Sequence, residues 1–414
     1  MHFYYGWAIV AAAFAEHIIA VGISNSQGVF FKPILTEFGW TRAMLSGVFS
    51  ITTLLVGVLA PFSGALADRY GPRRFIALEA LFLAAGYALL SQASNLWQFY
   101  LFFILFIGLG RSAGMGSIIP TIPRWFEAKR GLSQGIVQAG GGLGTVLLPL
   151  LVAFLILNYN WRVAFVVASV LVGTVVLIAA KVYRRRPQDM GLLPDGRTQV
   201  ADVGAQNLNH IQANPKRSMS RVKGTSLRQA LRTRILWQLF AISLTASFAH
   251  QLITIHLVPH ATDKGFSPTI AATFMSVLGA ANMLGKLTMG TVSDYIGRQK
   301  AMIISFSLAA ILLLWLVVVQ ELWAFYLFAA LFGFAYGGWM PLFPTLTADL
   351  FGVSSLGVIY GTVGTSNAIG GALGTFLGGY IFDVTQSYVY AFLLAMALLV
   401  VGIYLLTSLR RAKE

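Results

Sequence analysis

Four ionisable side chains lie deep inside long apolar stretches of this sequence: Glu16, Arg111, His250 and Lys286. An ionised group at the centre of a membrane-spanning helix costs about 2.5 to 3.5 kcal/mol, so each one needs a compensating role. Lys286 can bind the anionic group of a ligand, or its long aliphatic side chain can extend so that the ammonium reaches the membrane surface. Since imidazole titrates near neutral pH, His250 is a candidate proton carrier, with packing through a hydrogen bond as the alternative.

Glu16 and Arg111 sit at comparable depth in their apolar stretches. Their opposite charges allow three roles: a structural ion pair, a pair that handles a proton, or direct binding of a ligand by Arg111. Asn25 follows Glu16 by nine residues, which places the two on opposite sides of an ideal helix. We therefore do not expect both to line one cavity, unless a kink at Gly22 turns the chain.

Uncharged polar and aromatic side chains at similar depth can orient a small organic ligand. Asn25 lies in the polar run 24–27, which predicts either a water-lined surface or hydrogen bonds between helices. The other candidates, for which ordinary packing is the alternative, are Tyr336, Trp339, Ser366 and Asn367.

The composition predicts a protein that is embedded in a lipid bilayer. Of the 414 residues, 57% are hydrophobic and only 10% are charged. Soluble domains carry about 25% charged residues, so this chain lacks the polar surface that water requires. Helices satisfy their backbone hydrogen bonds internally, as lipid demands, and the apolar stretches reach the roughly 20 residues that a spanning helix needs. An all-α membrane protein is therefore expected.

We predict twelve transmembrane helices, of which the first is too long for a secretory signal. The approximate spans are 6–31, 41–66, 75–95, 98–123, 131–157, 161–182, 236–260, 267–292, 299–318, 321–345, 355–379 and 387–408. A polar stretch separates the sixth span from the seventh. It divides the chain into an N-terminal bundle at 1–182, a cytoplasmic linker at 183–234 and a C-terminal bundle at 235–414.

Basic residues mark one side of the membrane. Most of the 29 lysines and arginines fall in alternating loops, in the central linker and at the C-terminus, all on the same side. The positive-inside rule then predicts that both termini and the linker are cytoplasmic. The net charge of +15 is thus a topology signal that also attracts anionic lipid, and nucleic-acid binding is not expected.

The two predicted bundles contain an internal repeat. The segment 64–71 reappears at 290–297, an offset of 226 residues. The same offset carries Gly135 onto Gly361 and Gly144 onto Gly370. The halves are therefore expected to be structural repeats, as in carriers that rock around a site at the membrane midplane. Their glycines, at 135, 140–142 and 144 and at 361, 364, 370, 371 and 374, are expected to let helix backbones approach closely.

The repeated segment carries a family resemblance. Gly64-x-x-x-Asp68-Arg69-x-Gly71-x-Arg73-Arg74 resembles the loop signature of the major facilitator superfamily. The resemblance implies two pseudo-symmetric bundles of six helices. It also implies a gating motif in which acidic and basic groups pair at a helix end, formed by Gly64, Asp68, Arg69, Gly71 and Arg73 and, in the second copy, by Asp294 and Arg298.

Other stretches are similar to the bacterial relatives of the monocarboxylate transporters. They are Tyr5-Gly6-Trp7, Phe30-Phe31-Lys32, Arg124-Trp-Phe-x-x-Lys129-Arg130-Gly-Leu-x-x-Gly135 and Gly333-Phe-Ala-Tyr-Gly337. This resemblance implies a multi-pass protein of the bacterial inner membrane. It adds Ser117 and Thr145 to the candidate substrate-binding residues, alongside Asn25.

One position departs from that family's pattern. Members carry an aspartate and an arginine four residues apart in the eighth span, where this chain has Asn282 and Lys286. Lysine keeps the positive charge without the two-pronged geometry that fits a carboxylate. A substrate anion near Lys286 and Asn282 is still expected. Proton coupling must then involve other groups, for which Glu16, Arg111 and His250 are the candidates.

These features predict a secondary carrier of small monocarboxylates such as lactate or pyruvate, coupled to protons and acting as a monomer. Exchange of a dicarboxylate against a monocarboxylate is an alternative, since Arg111 and Lys286 can serve two carboxylates. Efflux of an amphipathic compound is another. Without cysteines, nucleotide loops, catalytic triads or metal-ligand spacings, no enzyme activity, cofactor or metal is expected.

Overall fold

The computed structural model describes residues 4–126, 130–193, 227–351 and 356–411. Most of the predicted linker therefore lies outside the described residues, as does Lys129. The side chains of Asp68, Asp294 and Arg130 also lie outside the described part. At its two ends the linker contains a short 3₁₀ turn, Pro187–Met190, and one helical turn, Leu227–Ala230.

Twelve long helical segments, α1 to α12, account for almost all of the described chain. In order they are α1 (Tyr5–Asn25 continued by Gln27–Phe38), α2 (Arg42–Tyr70), α3 (Pro72–Leu90), α4 (Leu96–Leu101, Phe102–Gly108 and Leu109–Trp125), α5 (Arg130–Asn158), α6 (Trp161–Val182), α7 (Arg234–Asp263), α8 (Pro268–Ile296), α9 (Arg298–Leu316), α10 (Leu322–Trp339 continued by Leu342–Phe351), α11 (Leu356–Thr385) and α12 (Val389–Arg411). Each coincides with one predicted span, with ends that differ by several residues.

Eleven of these segments are long and apolar enough to cross a membrane, counted over the described residues. The remaining segment is α3, which spans 19 residues and contains Arg73, Arg74 and Glu79. It ends at Leu90 rather than at the predicted residue 95. The predicted end is too late because Asn95 already belongs to the next helix. Its side chain accepts from Gln98 N and caps the start of α4. The predicted all-helical membrane fold is confirmed.

The internal repeat is visible in the helix bounds. Both ends of α8 and both ends of α9 follow the ends of α2 and α3 by the 226 residues of the sequence repeat. In the first half α1 packs on α5, α2 on α4 and α3 on α6. The second half repeats these pairs as α7 on α11, α8 on α10 and α9 on α12. Two pseudo-symmetric six-helix bundles result.

The two bundles meet along α2–α11 and α5–α8, and these contacts obey the same symmetry. Ser50 Oγ donates to the carbonyl of Ala372 at 2.8 Å, and Ser276 Oγ donates to the carbonyl of Val146 at 2.6 Å. Each member of the second bond lies one repeat away from its counterpart in the first. An equivalent serine hydroxyl therefore donates to an equivalent carbonyl of the other bundle at both crossings.

Charged groups join the bundles at the end of the molecule opposite the linker, here called the far end. Asp263 at the end of α7 accepts from Lys32 Nζ at 2.7 Å and from the Arg42 guanidinium at 2.8 Å. Asp383 of α11 accepts from the backbone N–H groups of Arg42 and Ala43, at 2.9 and 2.6 Å. The C-terminal bundle thus supplies carboxylates to cations and to a helix N-terminus of the other bundle. We call these contacts the far-end network.

The motif predicted to gate the carrier lies at the linker end. Gly71 and Gly297 join α2 to α3 and α8 to α9 with φ of 92° and 90°, which L side chains rarely adopt. Gly64 lies on α2, and Arg69 and Arg73 are exposed beside the turn. In the second copy Arg298 forms an ion pair with Asp349 at the end of α10, 2.5 Å away. That ion pair lies within one bundle.

Several of the predicted glycine contacts are present. An ideal Cβ on Gly144 would overlap the carbonyl of Ile18, and one on Gly370 would overlap the carbonyl of Leu244. The same holds for Gly140 and Gly374. The expectation is wrong for Gly135, Gly361 and Gly364, where no described atom lies within 4 Å of an ideal Cβ, because these positions face open space rather than a helix.

We expect Gly144→Ala to destabilise the protein by about 1 to 3 kcal/mol, since the added methyl would force α1 and α5 apart. Gly135→Ala is the matched control, and it should be neutral or slightly stabilising because alanine favours the helix. Thermal unfolding of the purified proteins measures both effects. An equal apparent Tm for the two variants would contradict the close approach at Gly144.

Candidate functional site

A cavity of about 330 Å³ lies between the two bundles. Its walls come from both halves of the repeat. The first half contributes α1 to α5, and the second contributes α7, α8 and α10. Its polar lining residues are Glu16, His17, Asn25, Glu79, Arg111, Gln138, Thr145, His250, Thr254, Asn282, Lys286 and Tyr336. A volume of this size suits a small organic molecule.

Lys286 and Asn282 present hydrogen-bond donors on the wall formed by α8. The Lys286 ammonium makes no hydrogen bond or ion pair with any described residue, although the side chain is largely enclosed. Asn282 is 7% exposed, and its Nδ2 has no hydrogen-bond partner in the described part of the chain. The ammonium and the amide donor are therefore both available to a ligand in the cavity.

The packing of α8 against α10 sets the position of these donors. Ideal Cβ atoms on Gly333 and Gly337 of α10 would overlap the backbone of α8, at Leu278 and at Asn282. The glycines therefore let the two helices touch along their backbones. The stretch 333–337, which the sequence resemblance singled out, thus fixes the height of Asn282 and Lys286 relative to Tyr336.

Two rings form an aromatic wall of the cavity. His250 of α7 stacks on Tyr336 of α10, with ring centroids 3.3 Å apart and planes inclined by 2°. His250 Nε2 lies 3.4 Å from the Thr254 hydroxyl, and Nδ1 has no partner among the described residues. The histidine is therefore packed against Tyr336 and keeps Nδ1 available, and its role as a proton carrier stays a prediction.

Asn25 and Thr145 contribute a polar pair from the N-terminal bundle to the cavity lining. Asn25 Nδ2 donates to Thr145 Oγ1 at 2.8 Å, and Thr145 donates to the carbonyl of Gly141 at 2.9 Å. The bond joins α1 to α5, so the predicted hydrogen bond between helices is formed. The same two residues also line the cavity, so the two predictions for Asn25, a hydrogen bond between helices and a place on the cavity surface, do not exclude each other.

The structure corrects two expectations for Glu16. No ion pair forms between Glu16 and Arg111, although both line the cavity. Glu16 Oε2 instead contacts His17 Nδ1 at 2.5 Å. Glu16 and Asn25 do line the same cavity. The lining residues of α1 extend over about half of the helix circumference, at roughly 100° per residue, so the cavity wraps around one side of α1.

Four predicted residues lie away from the cavity lining. Ser117 and Ser366 are buried and donate to carbonyls of their own helices, at Ala113 and Val363. Trp339 packs edge-on against Phe306, Tyr336 and Phe343, and Asn367 is exposed on α11.

Sequence reasoning missed His17, Glu79, Gln138 and Thr254, which line the cavity. Glu79 carries a detectable signal, since it is a lone carboxylate inside the apolar third span and therefore needs a partner. That partner is on α1, and its identity depends on how α1, α3 and α4 pack.

Comparison with known proteins agrees with this architecture. The family model described as "Major Facilitator Superfamily" matches residues 12–290 and 260–414. Monocarboxylate transporter 13 of Bos taurus is 27% identical over 98% of this chain and 89% of its own length. Monocarboxylate transporter 12 of Rattus norvegicus is 26% identical over 99% of this chain and 86% of its own length. A solved peptide transporter, POT in complex with sulfate, superposes with a TM-score of 0.75 over 97% of this chain and 94% of that chain, at 18% identity, which supports the fold alone.

The helix order, the symmetry and these matches agree with one another. The chain belongs to the Major Facilitator Superfamily and is a monocarboxylate-transporter-like membrane protein that transports rather than catalyses.

Proposed function

We propose that this protein is a secondary active carrier of small monocarboxylates of the lactate and pyruvate kind, driven by protons. The observation that carries the proposal is the Lys286 ammonium, which faces the cavity between the bundles without an ion pair or hydrogen bond to any described residue. A carboxylate placed there accepts a charge-assisted hydrogen bond from Lys286 and a second bond from Asn282 Nδ2. Both vacant donors are then satisfied.

The remaining walls suit the rest of such a substrate. The Tyr336 and His250 rings offer an apolar face, and the Asn25–Thr145 pair offers polar groups to a hydroxyl or keto oxygen. Since these groups belong to different bundles, rocking of one bundle against the other exposes the site to alternate sides. The names of the relatives support the substrate class, and the distribution of basic residues supports cytoplasmic termini. A location in a bacterial inner membrane stays a prediction of the sequence resemblance.

Reconstitution into liposomes tests the proposal. With a pH gradient, acid outside, radiolabelled lactate or pyruvate should enter faster than into empty liposomes, and unlabelled monocarboxylates should compete. Collapsing the gradient with a protonophore should remove accumulation. The proposal fails if thermal-shift screening and uptake both show no response to any monocarboxylate.

Exchange of organic anions is a second candidate, because Arg111 lines the same cavity as Lys286 and forms no ion pair with a described residue there. Two cations can hold a dicarboxylate. Trans-stimulated counterflow of a dicarboxylate against a monocarboxylate, without any pH change, would favour exchange over symport. The modest cavity volume argues against efflux of a larger amphipathic compound.

A further inference from the structure

A cluster of titratable side chains in the N-terminal bundle is not needed to hold the substrate carboxylate. It consists of Glu16 and His17 on α1, Glu79 on α3 and Arg111 on α4, all of which line the cavity. Glu16 is 2% exposed and Glu79 is 3% exposed. Both carboxyl groups are therefore cut off from bulk water except through the cavity itself.

The carboxyl groups of Glu16 and Glu79 meet within hydrogen-bonding range. The remaining oxygen of Glu79, Oε2, is buried and has no hydrogen-bond partner among the described residues. Gly114 of α4 makes this placement possible, since an ideal Cβ there would fall on the Glu79 carboxyl group. The Glu79 carboxyl group thus lies against the backbone of α4 at Gly114, on the side where it meets Glu16.

Several helices place polar or charged groups near the pair. His17 Nδ1 lies 2.5 Å from Glu16 Oε2 on α1. Arg111 of α4 interacts electrostatically with the pair without forming an ion pair. The buried Tyr183 hydroxyl, at the end of α6, also lies within electrostatic range of both carboxyl groups. On the cavity side, Lys286 of α8 lies within electrostatic range of His17.

Two ionised carboxylates in contact repel each other, and one shared proton replaces that repulsion with a strong hydrogen bond. We propose that the Glu16–Glu79 carboxyl pair is the proton-binding site of this carrier and holds one shared proton. The proposal rests on the proposed function for its role in coupling. It also accounts for Asn282, because an amide does not titrate and the proton has to bind elsewhere.

The position of the pair explains how a proton and a substrate are linked. The proton site belongs to the N-terminal bundle and the anion site to the C-terminal bundle, and both open into one cavity. His17 stands between them, bonded to Glu16 and within electrostatic range of Lys286. A proton on the pair reduces the negative charge that an incoming carboxylate meets, so protonation favours substrate binding.

Infrared spectroscopy of the purified protein in lipid, without substrate, tests the proton site directly. Wild type should show a protonated carboxylic acid near neutral pH. Its carbonyl band should be lost in Glu79→Gln. In Glu16→Gln the band should instead shift in frequency, because the enclosed Glu79 carboxyl group keeps its proton but loses the carboxylate that shares it. Glu37→Gln, which alters a carboxylate bonded to Trp161 and Arg162 at the far end, should keep the band.

An unchanged band in either cavity variant, or its absence from wild type, overturns the proposal. Either variant alone decides the matter if the other does not fold. Since no substrate is present, these outcomes do not depend on whether monocarboxylates are the cargo.

Transport then tests the coupling role. A gradient of one pH unit supplies about tenfold accumulation per coupled proton. Wild type should approach this value, whereas Glu16→Gln and Glu79→Gln should not concentrate substrate above the outside level. Accumulation by either variant equal to that of wild type would show that the proton is bound elsewhere.

Discussion

Lys286→Gln is expected to abolish substrate uptake without loss of folded protein. A charge-assisted hydrogen bond contributes about 2 to 3 kcal/mol, so its removal should weaken carboxylate binding roughly 30- to 150-fold. Because the ammonium has no partner among the described residues, its loss should leave the apparent Tm unchanged or raise it. Binding is measured by ligand-induced thermal shift, and transport by uptake into liposomes.

Two further substitutions sharpen this test. Lys300→Gln makes the same chemical change on an exposed residue of α9, and it should leave uptake unchanged. Lys286→Arg keeps the charge and offers two parallel donors, so it should retain substantial binding. Normal lactate and pyruvate transport by Lys286→Gln would refute the anion site. Failure of Lys286→Arg alone would instead point to a steric limit in the cavity.

Asp263→Asn is expected to loosen the far end of the molecule. The substitution removes both ion pairs through which Asp263 holds Lys32 and Arg42, at 2.7 and 2.8 Å. It leaves the largely enclosed Arg42 guanidinium with one charged contact fewer. We expect a cost of about 1 to 2 kcal/mol to the state with the far end closed, equivalent to a 5- to 30-fold shift in population. Opening between the bundles should become easier.

The chain has no cysteine, so engineered cysteines give clean labelling sites. Gln92→Cys and Gln320→Cys lie in exposed far-end loops of different bundles, and spin labels there report the distance between the bundles. Asp263→Asn should add a population with longer distances. Glu37→Gln is the control, because its bonds to Trp161 and Arg162 lie within one bundle. Indistinguishable distance distributions in wild type and Asp263→Asn would exclude a role of these ion pairs in closure.

The sequence was sufficient to predict the fold because its signals are local or repeated. A spanning helix needs only a continuous apolar stretch, which can be read without knowing what packs against it. The 226-residue offset by itself relates α2 to α8, and the structure confirms this relation down to the hydrogen bonds of Ser50 and Ser276. Lys286 and Asn25 are candidates for the same reason, since a polar group in an apolar stretch is conspicuous. Asn282 and Thr145 are candidates only through the family resemblance.

Only the tertiary structure decided which polar groups meet. Glu16 contacts His17 and the carboxyl group of Glu79 instead of pairing with Arg111, because Gly114 of α4 leaves room for the Glu79 carboxyl group. Ser117 and Ser366 have the right depth, yet they bond to their own helices. Depth in the membrane follows from counting residues along one helix. The direction in which a side chain points, and the neighbour it finds, depend on how several helices rotate and pack together.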